Sequence, residues 1–413
     1  MENNYNTIPK IRYTKFNEEW TSCKLKDVLK EYNEQCEKNG SYEHVSLTKE
    51  GVVPKSARYD RDSLVQHDDK KYRVTHLNDI CYNPANLKFG VICRNSYKDG
   101  IFSPIYVTLR VLNNNYPKFI EHYVKNDLFI KRALSKQEGT VYERMSVKSQ
   151  DLLDMDVNIP SFQEQKFIGN YLSDLDLLIE KQQNKYGTLV NMRSSLIFKL
   201  FPKNNLKIPE IRFKEFSNEW SEKRLMDIAT MHARIGWQNL RTSEFLDHGK
   251  YMLITGTDFD EGKINYSTCH YVEKTRYDQD KNIQLCNGSI LVTKDGTLGK
   301  VAIIKELPKP ATLNAGVFNV LPIDKSITDN DYLFQYLKAP FLLDYVSKRA
   351  TGGTIKHLNQ NILVNFPVLI PQAEEQKKIG NLLNKMDELI SLQLLKIGKL
   401  KDIKKAMVEK MIV

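Results

Sequence analysis

Apolar residues recur at alternating intervals of four and three along two long stretches of the chain. The first runs Ile168, Leu172, Leu175, Ile179, Gln182, Tyr186, Leu189, Arg193, Leu196, Leu200. The second runs Ile379, Leu383, Met386, Ile390, Gln393, Ile397, Leu400, Lys404, Met407, Met411. A heptad seam kept this long predicts a coiled coil rather than an ordinary surface helix. Pro160 and Pro371 precede the two stretches, Ser161 and Glu164 have the spacing of a capping box, and Pro202 stops the first helix. At ~1.5 Å per residue, about 38 residues make a rod of roughly 57 Å.

Polar residues interrupt both seams at equivalent places, Gln182 with Gln393 and Arg193 with Lys404. Each Gln lies midway between the apolar ends of its seam. Antiparallel pairing about a pseudo-twofold axis brings the midpoints together, so Gln182 and Gln393 are expected to face each other and set register. Gly187 and Gly398 also match, inside both helices, where glycine costs ~1 kcal/mol relative to alanine. That repeated cost predicts close approach of another backbone, from the partner helix or from a second protein. Phe167, Leu178, Val190 and Ile197 lie just off the first seam and widen its apolar face, which predicts a further helix packed there.

The repetition extends beyond the helices. Ile8-Pro9-Lys10-Ile11-Arg12 returns as Ile208-Pro209-Glu210-Ile211-Arg212, and Phe16, Trp20, Leu25 and Asp27 return as Phe216, Trp220, Leu225 and Asp227. Ile159-Pro160, Glu164-Gln165-Lys166, Ile168-Gly169-Asn170 and Leu172 return as Ile370-Pro371, Glu375-Gln376-Lys377, Ile379-Gly380-Asn381 and Leu383. Between these segments the two halves barely resemble each other. Residues 20–158 and 220–369 read as mixed α/β (α+β) inserts with short strands, such as 106–111, 289–293 and 301–304. Helical stretches follow at 117–134 and 331–349. Both inserts then reach Gly139-Thr140 or Gly352-Gly353-Thr354. The expected division is a first globular domain over 1–160, a helix over 161–205, a second globular domain over 206–370 and a helix over 371–413. A duplicated frame with divergent inserts is how one chain reads two different things at a fixed separation.

Composition narrows the class of partner. The chain of 413 residues carries a formal charge of +10, spread along its length with no basic tail. Mild basicity is compatible with a polyanion. The six cysteines form no CxxC pair and no Cys/His cluster with zinc spacing, which predicts isolated reduced thiols and no metal. The first residues lack the basic and apolar regions of a signal peptide, and no apolar run approaches the ~20 residues needed to span a bilayer. A cytoplasmic protein that binds no membrane is expected.

The repeated Ile-Pro-x-x-x-Glu-Gln at 159–165 and 370–376 gives the chain a family resemblance, together with 234–238 (Arg-Ile-Gly-Trp-Gln), 255–259 (Thr-Gly-Thr-Asp-Phe), 294–301 (Lys-Asp-Gly-Thr-Leu-Gly-Lys-Val) and Gly353-Thr354. It resembles the DNA-specificity subunit of type I restriction–modification systems over essentially its whole length. The first insert, with 79–84 (Asp-Ile-Cys-Tyr-Asn-Pro) and 103–107 (Ser-Pro-Ile-Tyr-Val), looks like another lineage of the same domain and has no Asp-Gly-x-x-Gly-Lys. The resemblance implies two target-recognition domains, each reading a few base pairs of double-stranded DNA. It also implies an antiparallel helical spacer that docks two methyltransferase subunits, and a bipartite, asymmetric target. S-adenosylmethionine, and ATP with magnesium for cleavage, would belong to partner methyltransferase and restriction/translocase subunits.

Base reading needs bidentate side chains, and phosphates take Lys, Ser and Thr. In the second insert the expected DNA contacts are Arg234, Gln238 and Arg241 around Trp237, then Lys294, Thr297 and Lys300, then Thr354, Lys356 and His357. In the first they are Arg94, Asn95, Tyr97 and Lys98, with Tyr142, Arg144 and Lys148 after Gly139-Thr140. Catalytic motifs fail on inspection. Tyr82-Asn83-Pro84-Ala85-Asn86 lacks the second proline and aromatic of an adenine methyltransferase loop. Residues 296–301 are two short of a phosphate-binding loop and lack its Ser/Thr, and the eight histidines form no triad or His-Glu-x-x-His. The expectation is a non-catalytic chain. The competing readings are a hydrolase or methyltransferase with an unrecognised site, and a coiled-coil assembly scaffold without base-specific DNA contact.

Overall fold

The computed structural model describes residues 8–37, 41–55, 71–137, 145–203, 206–236, 240–295, 298–349 and 358–413. The chain folds as two compact units, one of Met1–Asn184 with Leu395–Val413 and one of Lys185–Leu394.

In the first unit β1 (Thr21–Lys24) pairs antiparallel with β11 (Asp156–Ile159), closing the insert at its base. A four-stranded antiparallel sheet follows, built from β2 (Leu29–Tyr32), β7 (Ile80–Tyr82), β8 (Ile92–Arg94) and β10 (Val107–Val111) in the order β2-β10-β7-β8. A second sheet takes β3 (Gln35–Cys36), β4 (Glu43–Leu47), β5 (Val52–Pro54), β6 (Tyr72–Thr75) and β9 (Gly100–Phe102). Helices α1 (Pro117–Val124), α2 (Asp127–Leu134) and α3 (Ser149–Leu153) precede the long α4 (Phe162–Leu200).

The second unit repeats this plan. β12 (Ser221–Arg224) pairs with β22 (Pro367–Ile370). The short α5 (Leu225–Ile228) leads into β13 (Ala229–Ala233), which joins β18 (Ile290–Thr293), β19 (Val301–Ile303) and β21 (Val317–Pro322) in the order β13-β21-β18-β19. The two inserts therefore share one sheet topology although their sequences do not match. The additions differ: here β14 (Tyr251–Ile254), β17 (His270–Val272) and β20 (Ala311–Leu313) form a three-stranded sheet, beside the hairpin of β15 (Phe259–Asp260) and β16 (Lys263–Ile264) and the short α6 (Lys274–Asp278). Then come α7 (Asn330–Lys338), α8 (Phe341–Ser347), α9 (Gln360–Val364) and α10 (Ala373–Met411). Each helical stretch expected as one piece is two. Asn126 ends α1 and caps α2 by accepting the Leu128 N–H at 2.9 Å, and Pro340 divides α7 from α8.

Both long helices have 39 residues, roughly 58 Å at ~1.5 Å per residue. All twenty seam positions are buried or half-buried. Gln393 is buried in the second unit and Gln182 half-buried in the first. Each unit holds half of each helix, and the halves run antiparallel within it. In the first, Ile168 and Leu172 share a core with Met411 and Ile412 while Lys404 bonds Asp176. In the second, Ile197 and Leu200 share a core with Ile379 and Leu383 while Arg193 bonds Asp387. Trp20 and Trp220 anchor these cores through edge-on contacts, to Phe119 at 5.8 Å and to Tyr332 at 6.1 Å.

The repeated Glu-Gln pair explains how each insert is seated on its helix. Glu164 receives Arg12 through two 2.7 Å bonds, and Glu375 receives Arg212 through two 2.8 Å bonds. Gln165 accepts the Tyr116 N–H at 2.8 Å, just ahead of α1, and Gln376 accepts the Asp329 N–H at 2.9 Å, just ahead of α7. One turn on, a Cβ at Gly169 would lie 2.6 Å from the Phe119 nitrogen, and one at Gly380 would lie 2.9 Å from the Tyr332 nitrogen. These are the glycines that admit another backbone. For Gly187 and Gly398 a Cβ at either would meet nothing within 4 Å, so among the described residues no backbone of this chain approaches them, and of the two expected neighbours only a second protein is left. Two of the residues expected to receive a further helix are covered from within. Phe167 packs against Tyr13 with the ring centroids 4.7 Å apart, and Ile197 lies in the core of its own unit.

Because Phe119 sits over Gly169 as Tyr332 sits over Gly380, His122 is the counterpart of Gln335. Around Gln335 the polar groups close a buried network. Arg193 donates to Asp387 and, at 2.9 Å, to Gln335 Oε1; Gln335 Nε2 donates to Asp387 at 2.9 Å and to Asn384 at 2.8 Å; Lys338 donates to Asp387 at 2.9 Å. Burial would raise the Asp387 pKa, but Lys338 and Arg193 outweigh it and hold the carboxyl below its usual range. In the first unit His122 Nε2 lies 3.3 Å from Ser173 Oγ and 4.0 Å from Asp176. Burial, with Lys404 and Lys125 nearby, pushes the His122 pKa down to about 3.

Two measurements test this frame. Gly169→Ala and Gly380→Ala should each lower the thermal midpoint, whereas Gly187→Ala and Gly398→Ala should each stabilise the isolated chain by ~0.5–1 kcal/mol. A loss of stability at Gly187 or Gly398 in chemical denaturation would contradict the open space seen there. Below its ordinary pKa of ~6.5, the unfolded chain takes up a proton at residue 122 that the folded chain refuses, so stability falls as pH drops toward about 3. His122→Gln should make unfolding free energy less steep in pH across that window; an unchanged slope rejects the assignment.

Candidate nucleic-acid interface

Two connections occupy the same place in the two sheets, the turn from β7 to β8 and the turn from β18 to β19. Each ends on a glycine in the left-handed region, Gly90 at φ 75° and Gly299 at φ 70°, where a side chain is strained. In the second unit the Gly299 N–H donates to the Thr293 carbonyl, and the Lys300 N–H to Thr293 Oγ1, both at 2.9 Å. This closure leaves Lys300 exposed and Lys294 half-buried, its ammonium 5.5 Å from the Phe318 ring centroid. The Leu358 N–H donates to the Lys294 carbonyl at 2.8 Å, tying the end of the Gly-Gly-Thr segment to the same turn. In the first unit the Val147 N–H donates to the Pro84 carbonyl at 3.2 Å, and the Tyr82 hydroxyl donates to the Val147 carbonyl at 3.1 Å. The segment after Gly139-Thr140 is thus tied to the β7–β8 turn in the same way.

That equivalence identifies two residues that sequence reasoning missed. Lys88 and Phe89 are exposed immediately before Gly90, with the ammonium 5.1 Å from the ring centroid. The signal that could have found them is Leu87-Lys88-Phe89-Gly90 between two apolar strands, but it shares no motif with Lys294–Lys300. Beside this turn an open cleft of about 1410 Å³ is lined by Lys88, Phe89, Arg94, Lys118, Asp176 and Lys401, among others. Acidic and basic groups alternate along it, several already paired, so it is no simple track for phosphates.

The expected contacts divide sharply by burial. Asn95 is fully buried, donating to Thr75 Oγ1 at 3.2 Å and to the Lys98 carbonyl at 2.9 Å, and it shapes its loop rather than meeting a base. Arg234 is also buried, its guanidinium donating to the Leu313 carbonyl at 2.9 Å and to Thr312 Oγ1 at 3.3 Å. Burial lowers its pKa, and the chain holds it as a brace between β13 and β20. Arg94 is turned inward, to Glu121 at 3.0 Å and Asn78 at 2.9 Å. The expectations for Asn95 and Arg234 are corrected by burial, their side chains being held inside the protein, while Arg94 is half-buried and engaged by Glu121 and Asn78.

Tyr97 and Lys98 are exposed on the loop from β8 to β9, both drawn to Glu43, at 3.0 and 2.6 Å. Lys148 is exposed at the start of α3, and Arg241 is exposed with its backbone N–H given to Glu244 at 2.8 Å. Tyr142, Arg144, Gln238, Thr297, Thr354, Lys356 and His357 lie outside the described residues. Thr255–Phe259, part of the family resemblance, is a structural turn: Asp258 is buried and accepts from Thr255 N–H and Thr268 Oγ1, both at 2.8 Å. Among the described residues no cluster of His, Cys, Asp or Glu is arranged to hold a metal, and no helix is long and apolar enough to cross a membrane.

Residues 217–405 match the model of the type I restriction modification DNA specificity domain. The MjaVIII specificity subunit of Methanocaldococcus jannaschii, a type I restriction enzyme subunit, is 24% identical over 362 residues, covering 83% of this chain and 81% of that one. The EcoR124I/EcoR124II specificity subunit of Escherichia coli is 25% identical over 179 residues, 43% of each chain. Among solved structures, the S subunit of a type I restriction–modification system from M. genitalium superposes with a TM-score of 0.61 at 17% identity, covering 98% of this chain and 99% of that one. Residues 217–405 thus carry the type I restriction modification DNA specificity domain, and the chain is similar to type I restriction enzyme specificity subunits along most of its length and shares the fold of a solved S subunit end to end.

Proposed function

We propose that each unit reads one half of a bipartite, asymmetric DNA target, and that the helical segments 161–205 and 371–413 set the gap between the halves. The observation that carries this reading is one sheet topology carrying unlike exposed side chains at the equivalent turn, Lys88 and Phe89 in one insert and Lys300 in the other. A constant scaffold with different side chains at one place suits two different base sequences, since phosphate contacts position a protein and base contacts specify. Half-sites read from one face of a duplex lie about one turn apart, ~34 Å, and helices of roughly 58 Å span that. Gln182 and Gln393 serve as register-setting residues of this spacer.

In this reading the helices also dock two methyltransferase subunits that methylate adenine. Leu177, Leu178 and Ile403 in the first unit and Met192, Leu389 and Leu392 in the second are exposed and apolar, which supports a protein partner. Leu178, Val190, Gly187 and Gly398 stay in this partner set, while Phe167 and Ile197 leave it. S-adenosylmethionine, ATP and magnesium act on partner subunits, with restriction/translocase subunits joining where they are present.

A methylome comparison by long-read sequencing, with the gene present and deleted, tests the reading. The expected result is loss of one N6-methyladenine motif with two unlike halves and a fixed gap; no changed motif favours the scaffold reading instead. Substitutions then assign the halves. Replacing Lys88 or Tyr97 should relax or weaken only one half-site, and replacing Lys300 or Arg241 only the other, at ~1–3 kcal/mol for a base contact. If the methylated sequence and its occupancy are unchanged in each variant, these turns are not the readers.

A further inference from the structure

One histidine in the first unit presents both ring nitrogens to carboxylates. His76 lies between β6 and β7, with Nδ1 2.8 Å from Asp99 Oδ2 and Nε2 3.0 Å from Glu34 Oε2. An ionised carboxylate has no proton to give, so each contact requires an N–H from the ring, and a ring donating from both nitrogens is an imidazolium. Asp99 also accepts the Leu77 N–H at 2.8 Å, which pins the far end of the 95–99 loop to the His76 turn. The near end is held independently by buried Asn95.

The groups around the ring make it a clamp. Asp79 accepts the His76 backbone N–H at 2.6 Å and the Tyr32 hydroxyl, fixing the turn from below. Tyr32 stacks on the imidazole at 6.1 Å and Tyr42 meets it edge-on at 6.5 Å. The carboxylates facing it are Glu34, Asp79 and Asp99. The cations packed nearby are Arg110, over the Tyr32 ring at 4.5 Å, and Arg73, which donates to the Tyr32 carbonyl at 3.1 Å and lies 3.7 Å from Glu31. Burial opposes protonation of His76, but Asp99 and Glu34 outweigh it and raise the pKa above its ordinary value.

We propose that His76 is a positioning residue whose protonated ring holds the 95–99 loop in place to read DNA, so that the first half-site is bound more tightly in mild acid than in alkali. This rests on the reading above, in which Tyr97 and Lys98 on that loop meet DNA. Neutral imidazole has one N–H, so deprotonation leaves Asp99 or Glu34 facing a lone pair and frees the loop at its far end. Since the folded pKa is the higher one, the clamp is complete below ~6.5 and is lost as pH rises through the raised value.

The test uses the full chain labelled with 13C-histidine, with the His76 signal assigned by its absence in His76→Gln. Its titration, hydrogen exchange of the 95–99 amides and affinity for the methylome-derived target are followed from about pH 5.5 to 9 at constant salt. The expected result is titration above ~6.5, faster exchange in the loop through the same range, and a several-fold loss of affinity. His76→Gln should flatten that loss, Asp99→Asn should shift it to lower pH, and discrimination at the second half-site should not move. Titration at or below ~6.5, or a His76→Gln variant with the wild-type pH profile, overturns the proposal. Raised titration that loosens the loop while affinity stays flat also overturns it, and places the fault in the DNA role of Tyr97 and Lys98 rather than in the clamp.

Discussion

Two buried arginine–carboxylate pairs govern the architecture. Arg12 on Glu164 and Arg212 on Glu375 are bidentate, and both carboxylates are about 1% exposed. Such a pair contributes little net stability, because desolvating two charges consumes most of their attraction, yet losing one partner strands a charge at roughly 3–5 kcal/mol. Its value lies in specification. Each pair fixes where the leading segment meets the start of a long helix, and the neighbouring glutamine fixes where the next helix begins. Ile11 and Ile211 then donate to the carbonyls of Lys410 and Lys199, both at 3.0 Å, so each leading segment also finishes the end of a helix.

With those points fixed twice, the inserts can diverge. The sheet orders β2-β10-β7-β8 and β13-β21-β18-β19 are the same although the side chains are not. Core positions keep only their size and apolar character, while the exposed turns keep only a left-handed glycine. Loops on a rigid scaffold are where recognition changes without cost to folding. His122 in place of Gln335 shows the limit of that freedom: a buried position still needs a polar partner, but which one is open.

The helices could be read from sequence because a heptad depends only on spacing along one element. The paired frame could be read because duplication marks it. Arg234 and Asn95 were misjudged because a polar residue in a loop has no local signature of burial; only the partners Thr312, Leu313 and Thr75, far away in sequence, take it inside. Gly187 and Gly398 differ, since nothing in this chain lies above either, and their repetition bears only on a second protein. Gly169 and Gly380 carried the signal of close packing in a repeated motif, and its meaning needed the position of α1 and α7.

The division of the helices bears on how the chain is made. The second unit is continuous, Lys185–Leu394, whereas the first needs Leu395–Val413, which places Met411 and Ile412 in a core begun by Trp20. Domains usually close in the order in which they leave the ribosome. Here the order inverts: the later unit can complete its core while the earlier one waits, with an apolar groove along the first half of α4 uncovered. Nascent chains stalled before residue 395 therefore carry one finished unit and one sticky, open one, the state that a chaperone would have to hold.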